Sequence, residues 1–285
     1  MKSLVIIVTY NAMRWVDKCI GSVNASSAPA DVFVADNAST DGTADYISKK
    51  YPDVHLVRNE ANLGFAEGNN QGFRYALEGG YDYVYLLNQD AWIMPDTLES
   101  LIRIHSAHKD YAILSPDQMQ ADGQSYNPVF LRDVVPCEVP ESESESGLMH
   151  VPFVMAAHWF MPVETIRRVG MFADIFPLYG NDDNYCHRVL YHGFKIGVVS
   201  NLKVVHDKEY SKQSKAYKIY RNYYMASLVE LSDIRKSLCG RLLFVTALTF
   251  VKMVKYFSFK PLFFYFRILF KDLTKVRELR RVTHE

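Results

Sequence analysis

Short apolar runs, each stopping in a polar turn, alternate with helically spaced apolar positions through the first ninety residues. Leu4 to Thr9 (LVIIVT) is a β-branched run that predicts a first strand and leads into Tyr10-Asn11. Trp15, Val16, Cys19, Ile20 and Val23 then recur at helical spacing. Val32 to Ala35 predicts a second strand, ending at Asp36-Asn37-Ala38-Ser39-Thr40-Asp41-Gly42-Thr43, where Thr40 or Asp41 can cap a helix through Tyr46 and Ile47. Val54 to Val57 predicts a third strand, ending in Arg58-Asn59. A Gly/Asn-rich segment, Asn62 to Gly72, leads from there into a helix through Leu77. Tyr83 to Leu87 is too short for an ordinary helix and suits a strand buried on both faces; it stops at Asn88-Gln89-Asp90, ahead of a helix opened by Pro95-Asp96. Strictly alternating strand and helix predict an α/β fold with a mostly parallel central sheet and helices on both faces.

The second half is less regular. The pattern weakens between Asp117 and His150, where Glu141 to Ser146 (ESESES) reads as a mobile surface loop. Structure resumes at Val151 to Met161, and Pro162-Val163-Glu164 opens a short helix ending at Gly170. In Tyr179-Gly180-Asn181-Asp182-Asp183-Asn184, Asn181 or Asp182 can cap a helix from Tyr185 to His192, closed by Gly193. Lys195 to Val199 and Lys203 to Val205 read as strands, the latter running straight into His206-Asp207.

Composition changes this picture mainly at the tail. The 285 residues have no net charge, which argues against a nucleic-acid binder. From Arg235 onward, however, twelve Lys/Arg stand against three acids, so the tail is basic and the body acidic. Leu242 to Val251 and Pro261 to Phe270 are intensely apolar but are interrupted by Lys252, Lys255, Lys260 and Arg267, and neither run is long enough to span a bilayer. Aromatic residues with cations beside them predict helices lying at a membrane surface; helices packed on the body or in a homodimer are the alternative. The expected organisation is a catalytic domain over 1–232 and a basic, aromatic, helical extension over 233–285. The four cysteines are scattered without metal-ligand spacing and read as reduced thiols. With no signal peptide visible, the expected location is cytoplasmic, at the inner face of the membrane.

The chemistry gathers at strand ends. In an open α/β sheet, ligands bind at the carboxyl edge of the strands. Each strand there ends in polar groups, so Asp36, Asn62 and Asp90 are expected to converge, as turn-making alone would not require. Asp90 also has a bland reading as a helix cap, and Asp182-Asp183 has one as a solvated helix start. His206 matters because it too ends a strand.

These residues carry a resemblance. VTYN (Thr9, Asn11), DNASTDGT (Asp36 to Thr43), N-x-G-F-A-x-G-x-N (Asn62 to Asn70), LLNQDAW (Leu86 to Trp92), then YGNDDNYCHR and VVHD, in this order, resemble family 2 glycosyltransferases, most of all bacterial rhamnosyl- and galactofuranosyl-type enzymes. The resemblance covers about residues 3 to 225 and implies a Rossmann-like GT-A fold that binds a nucleotide-diphosphate sugar, of dTDP-rhamnose or UDP-hexose type. It implies inverting transfer to a hydroxyl of a saccharide or lipid-linked saccharide, in cell-surface polysaccharide synthesis. By resemblance, Thr9, Asn11 and Asp36 line the nucleotide pocket, with Asn88 beside them. Asn62, Gly68 and Asn69 belong to a loop closing on the base and diphosphate. Asp90 is the last acid of a DxD motif, holding Mn²⁺ or Mg²⁺ together with His206. Asp182 is the general base. Apart from the resemblance, Asp183 is expected at the acceptor, and Trp159 has two readings, stacking on an apolar face of the acceptor sugar or packing in the core between Ala157 and Phe160. Two departures stand out: the DxD motif is Asn88-Gln89-Asp90, and the acid that usually precedes the base is Asn181. Hard oxygens plus one imidazole suit Mn²⁺ or Mg²⁺ better than zinc. A nucleotidyltransferase or an inactive, membrane-surface scaffold are the other readings; a dinucleotide-dependent oxidoreductase is disfavoured because no G-x-G-x-x-G follows the first strand.

Overall fold

A computed structural model describes residues 1–134, 147–176, 179–208 and 214–284; the ESESES segment and Cys137 lie outside the described residues. Every apolar run of the first half is a strand: β1 (Ser3–Thr9), β2 (Asp31–Asp36), β3 (His55–Arg58) and β4 (Tyr83–Asn88). Between them lie α1 (Val16–Asn24), α2 (Thr43–Lys50) and α3 (Gly64–Glu78). The chain continues through β5 (Ala91–Trp92), α4 (Thr97–Ala107), β6 (Tyr111–Met119), α5 (Pro128–Val134), β7 (Leu148–His150), β8 (His158–Pro162), α6 (Val163–Val169), α7 (Asn181–Tyr191) and β9 (Lys195–His206).

One sheet takes all of these strands in the order β3-β2-β1-β4-β8-β6-β9-β5, with β7 also paired to β9. Strands β3, β2, β1, β4, β6 and β9 run one way, and β8, β7 and β5 run against them. Successive residues of β1 alternate between two cores. Leu4 and Ile6 join Phe33, Phe73 and Trp159 on one face, while Val5 and Ile7 join Ile20, Val34 and Leu98 on the other.

Four expectations need correction. The Gly/Asn-rich segment is not a loop ahead of a helix; it is the first half of α3, so Gly68 and Asn69 are buried and helical. The cause is close packing. A Cβ on Gly68 would lie 2.7 Å from Val8 Cγ1 and one on Gly72 2.5 Å from Ile6 Cγ2, so only glycine lets α3 rest on β1. Asn69 turns its amide back onto the Phe65 carbonyl at 2.8 Å. Gly68→Ala is therefore expected to destabilise the fold by ~1–3 kcal/mol, overpacking outweighing the roughly 1 kcal/mol that alanine brings to a helix. Urea unfolding would measure this, and a variant more stable than the parent would contradict the packing account.

The second correction is β6, a nine-residue strand buried throughout that the sequence pattern does not announce. Third, the two runs after Lys195 are one strand, β9, whose register against β6 shifts between Pro116 and Asp117. Fourth, α7 starts at Asn181 rather than Tyr185, entered through left-handed Gly180, so Asn181 and Asp182 lie in its first turn instead of capping it.

The helical extension begins earlier than expected. After α8 (Lys215–Ile219), residues from a π-helical stretch Tyr220–Met225 and α9 (Ala226–Ser232) share a third core with α10 (Leu238–Tyr256), α11 (Lys260–Arg267), a second π-helical stretch Ile268–Asp272 and α12 (Leu273–His284). Tyr224 donates to Asp272 at 2.8 Å, and Arg280 donates to the carbonyls of Leu231, Asp233 and Lys236. A boundary between 232 and 233 would cut through this unit, which also packs on Ile175 and Phe176 of the body.

Candidate active site

The open edge forms where β1, β2 and β4 stop level with one another, Val8 opposite Asn88 and Thr9 opposite Asp36. Thr9 Oγ1 donates to Asp36 Oδ2 at 2.8 Å, and Ser39 donates its hydroxyl to the same oxygen and its N–H to Oδ1. The buried Asp36 carboxylate thereby fastens the loop after β2 to the end of β1. Asn11 sits in the left-handed region (φ 51°), receives the Thr40 N–H at 2.8 Å and gives its own N–H to Ser39 Oγ at 2.9 Å. An asparagine tolerates this conformation better than most residues. Asn62 is exposed and accepts the Gly64 N–H at 2.9 Å, at the entry to α3. Gln89, within the NQD motif, takes the Tyr10 N–H at 2.7 Å and so sets the spacing between the two loops.

The pairing of β5 with β9 builds the next part. Ala91 lies opposite His206, and the Asp207 N–H donates to the Asp90 carbonyl at 2.8 Å. His206 Nε2 consequently stands 3.6 Å from Asp90 Oδ1, with its Nδ1 buried and unpartnered among the described residues. Asp90 faces this imidazole and does not cap α4, which begins seven residues on. His158 lies against the His206 ring; burial lowers its pKa to about 3, so the ring is neutral. Its Nε2 must then donate to the Val205 carbonyl at 3.0 Å, leaving Nδ1 to accept from Tyr85 at 2.9 Å. Trp15 Nε1 donates to Asp207 at 3.1 Å and holds the turn after β9.

Asp90 and His206 fit a divalent cation on chemical grounds. A carboxylate oxygen and an imidazole nitrogen this close can share one ion, with Asp90 Oδ1 and His206 Nε2 as the two donors. Among the described residues no group of three or more His, Cys, Asp or Glu could hold a metal. A cation here would therefore take its remaining ligands from phosphate and water, as magnesium commonly does.

Asp182 opens onto a cavity of about 660 Å³ bounded by α7, the Tyr220–Met225 stretch and α10. Lys208 lines it, and also lines a smaller cavity of about 170 Å³ that contains His206, so the two regions adjoin. Burial raises the Asp182 pKa above the ordinary carboxylate value, although the N–H groups of Asp183 and Ala156 and the charge of Lys208 pull the other way. Asp183 shares the cavity wall. Asn181 is buried with neither amide atom hydrogen-bonded among the described residues, so an acid at that position would be a buried charge without a partner.

The structure thus brings Thr9, Asn11, Asp36, Asn88, Asp90 and His206 to one edge, with Asp182 and Asp183 in the adjoining cavity. Gly68 and Asn69 are not exposed there. Trp159 is not available to an acceptor sugar: it has no exposed surface, donates Nε1 to the Val154 carbonyl at 3.1 Å and packs on Phe172 and Tyr185. Lys208 and Arg221 line the cavity without having been singled out from sequence. Lys208 had a signal, because it follows the VVHD motif directly; Arg221 had none.

The family model described as Glycosyl transferase family 2 matches residues 4–164. The low-salt glycan biosynthesis hexosyltransferase Agl10 of Haloferax volcanii is 23% identical over 240 residues, covering 78% of this chain and 74% of that one. The N-acetylglucosaminyl-diphospho-decaprenol L-rhamnosyltransferase of Mycobacterium tuberculosis is 30% identical over 131 residues, 43% of either chain. The mannosyltransferase PcManGT of Pyrobaculum calidifontis, solved with GDP-Man and Mn²⁺, superposes with a TM-score of 0.63 at 17% identity over 99% of this chain and 84% of that one. The match runs from β1 to the first residues of α6 and takes in the Asp36 and Asp90 motifs, and the sheet agrees: the chain belongs to glycosyl transferase family 2 and is a glycosyltransferase with the GT-A fold.

Proposed function

We propose that the protein is an inverting, metal-dependent transferase that moves a sugar from a nucleotide-diphosphate donor, of dTDP-rhamnose or UDP-hexose type, to a hydroxyl of a saccharide or lipid-linked saccharide. One observation carries this reading: Asp90 and His206 meet at 3.6 Å on the strand-end edge, beside a cavity that presents Asp182. The nucleotide lies along the loops of Thr9, Asn11 and Asp36, with Asn62 and Asn88 at its margins. Asp90 and His206 would hold Mn²⁺ or Mg²⁺, which would supply positive charge to the diphosphate leaving group. The acceptor enters the Asp182 cavity past Asp183. Its oxygen attacks the anomeric carbon as the bond to the diphosphate breaks, and its proton passes to the Asp182 carboxylate. The test is release of nucleoside diphosphate from a panel of nucleotide sugars, with Mn²⁺ and with EDTA. Metal-dependent release from one donor class is the expected result, and equal release in EDTA contradicts it.

We further infer that the helical unit rests on the cytoplasmic face of a membrane. Among the described residues no helix is long and apolar enough to cross one. Yet the segment from α10 through α11 and the stretch after it exposes Leu243, Phe250, Val254, Phe259, Phe263 and Phe270, with Lys252, Lys255, Lys260 and Arg267 among them. Phenylalanine in the interface and lysine reaching the headgroups is how a helix lies on an anionic bilayer. Phe257 sharpens the case. It ends α10 in the left-handed conformation (φ 45°) that favours glycine, and is 91% exposed. Phe257→Gly should stabilise the isolated protein by ~1 kcal/mol, by relieving the backbone, while weakening its binding to anionic liposomes. Sedimentation with liposomes at low and high salt reads the second effect. Undiminished binding, or a tight dimer indifferent to liposomes, would contradict the membrane role.

A further inference from the structure

We propose that Asn184 is a positioning residue for Asp182: its buried amide ties the helix that carries Asp182 to the body of the protein on one side and to the helical unit on the other. This rests on the reading of Asp182 as the base and adds the residue that sets its place. α7 meets α9 along one face. Gly180, Asn184 and His187 are spaced by four and three residues, so they lie in line. Gly180 approaches α9 so closely that a Cβ there would stand 2.7 Å from Val229 Cγ2. One turn on, Asn184 Nδ2 donates to Ser232 Oγ at 3.1 Å. His187 Nδ1 lies 3.8 Å from the carboxylate of Asp233, which has no exposed surface.

The other end of the amide faces the body. Asn184 Oδ1 accepts from Arg188 Nε at 3.2 Å, and the same guanidinium donates to the carbonyls of Val169 and Met171, both at 2.7 Å. Ser232 in turn donates to the Val229 carbonyl at 3.1 Å, which leaves its oxygen to accept. A carboxylate at 184 has no proton to give Ser232, and an aliphatic side chain serves neither partner; an amide serves both at once. Asn184 is 1% exposed, and a polar group buried so deeply is tolerated only while its bonds are made. Asp182 lies two residues earlier, on a different face of α7. It lines the cavity together with Arg221, Met225, Val229 and Phe244, all of the helical unit. Val229 thus both packs on Gly180 and forms part of the wall. The place of the base relative to that wall is set where α7 is fastened to α9, at Asn184 and Ser232.

Asn184→Ala would strand Arg188 and endanger the fold, so the test is made at Ser232 in the full-length protein. Valine and threonine match in size there and differ in the hydroxyl. Ser232→Val should lower turnover by ~10-fold or more without changing the donor dissociation constant in Mn²⁺, and Ser232→Thr should keep most of the parent rate. Ser232→Ala, which adds no bulk, gives the same comparison against the parent if valine prevents folding. A cycle with Asp182→Asn then separates positioning from a merely structural role. A hydroxyl that acts through Asp182 makes no difference once the carboxylate is gone, so the valine and threonine forms that also carry Asp182→Asn should turn over at the same rate. A threonine-to-valine ratio that is the same with and without Asp182→Asn overturns the proposal, as do valine and threonine forms that turn over alike while Asp182 is present. Near-parental turnover of Asp182→Asn by itself is a different failure: it defeats the reading of Asp182 as the base, and the proposal with it.

Discussion

Asp182→Asn should leave a folded, donor-binding protein whose turnover is slower by ~10²-fold or more. The amide keeps the size of the carboxylate and can still accept the N–H groups of Ala156 and Asp183, but cannot take the acceptor's proton. The pH dependence is expected to follow from burial. A base acts only when ionised, and burial raises the pKa of Asp182, so the rate should fall with decreasing pH earlier than an ordinary aspartate would allow. Stability should move the other way. A folded-state pKa above the unfolded value means that the folded protein holds this proton more tightly. The group therefore favours folding below the unfolded value of about 3.9, and that benefit is lost as pH rises through the folded value. At neutral pH the ionised carboxylate costs stability, and asparagine removes the cost. Thermal unfolding of the variant near neutral pH should thus occur at or above the parent temperature. Near-normal turnover would instead transfer the role of base to Asp183.

The second large effect concerns the cation. Asp90→Ala removes the carboxylate that stands 3.6 Å from His206, and should lower turnover by at least ~10²-fold, equivalent to about 3 kcal/mol of transition-state stabilisation. It should also weaken donor binding in Mn²⁺ while leaving binding in EDTA little changed, because the loops around Asp36, proposed to take the nucleotide, are held by Thr9 and Ser39 and not by Asp90. His206→Ala should act in the same direction. Calorimetry of donor binding with and without Mn²⁺ separates the two states. Parent and Asp90→Ala proteins that respond equally to Mn²⁺ would remove the cation from this pair.

The strand ends were legible because each apolar run of the first half is short, β-branched or aromatic, and stops in polar residues. That pattern fixes β1 to β4 and, with the direction shared by parallel strands, places Thr9, Asp36 and Asn88 on one edge. His206 was legible for the same reason, but its meeting with Asp90 depends on the two-residue strand β5, too short to leave a periodic signal. Other features were hidden by tertiary contacts. In β6, Pro116 and Asp117 interrupt the apolar pattern; Asp117 is buried because Tyr126 donates to it at 2.9 Å, and burial lifts its pKa to about 6. Gly68 reads as a turn residue from sequence, yet its function is to let a helix approach Val8. Trp159 lies among motifs of the site, but β8 is an interior strand and turns the indole into the core. The cavity cations were the least legible, since Arg221 comes to line the cavity of Asp182 only through the packing of the helical unit on the body.

Sugar transfer with release of nucleoside diphosphate can be watched in one experiment, by following the reaction of a cognate nucleotide sugar and acceptor in Mn²⁺ by phosphorus and proton NMR. The expected products are nucleoside diphosphate and a glycoside in equal amounts, the glycoside having the anomeric configuration opposite to that of the donor. Pyrophosphate or nucleoside monophosphate as the released product, or a glycoside that keeps the donor's configuration, would contradict it.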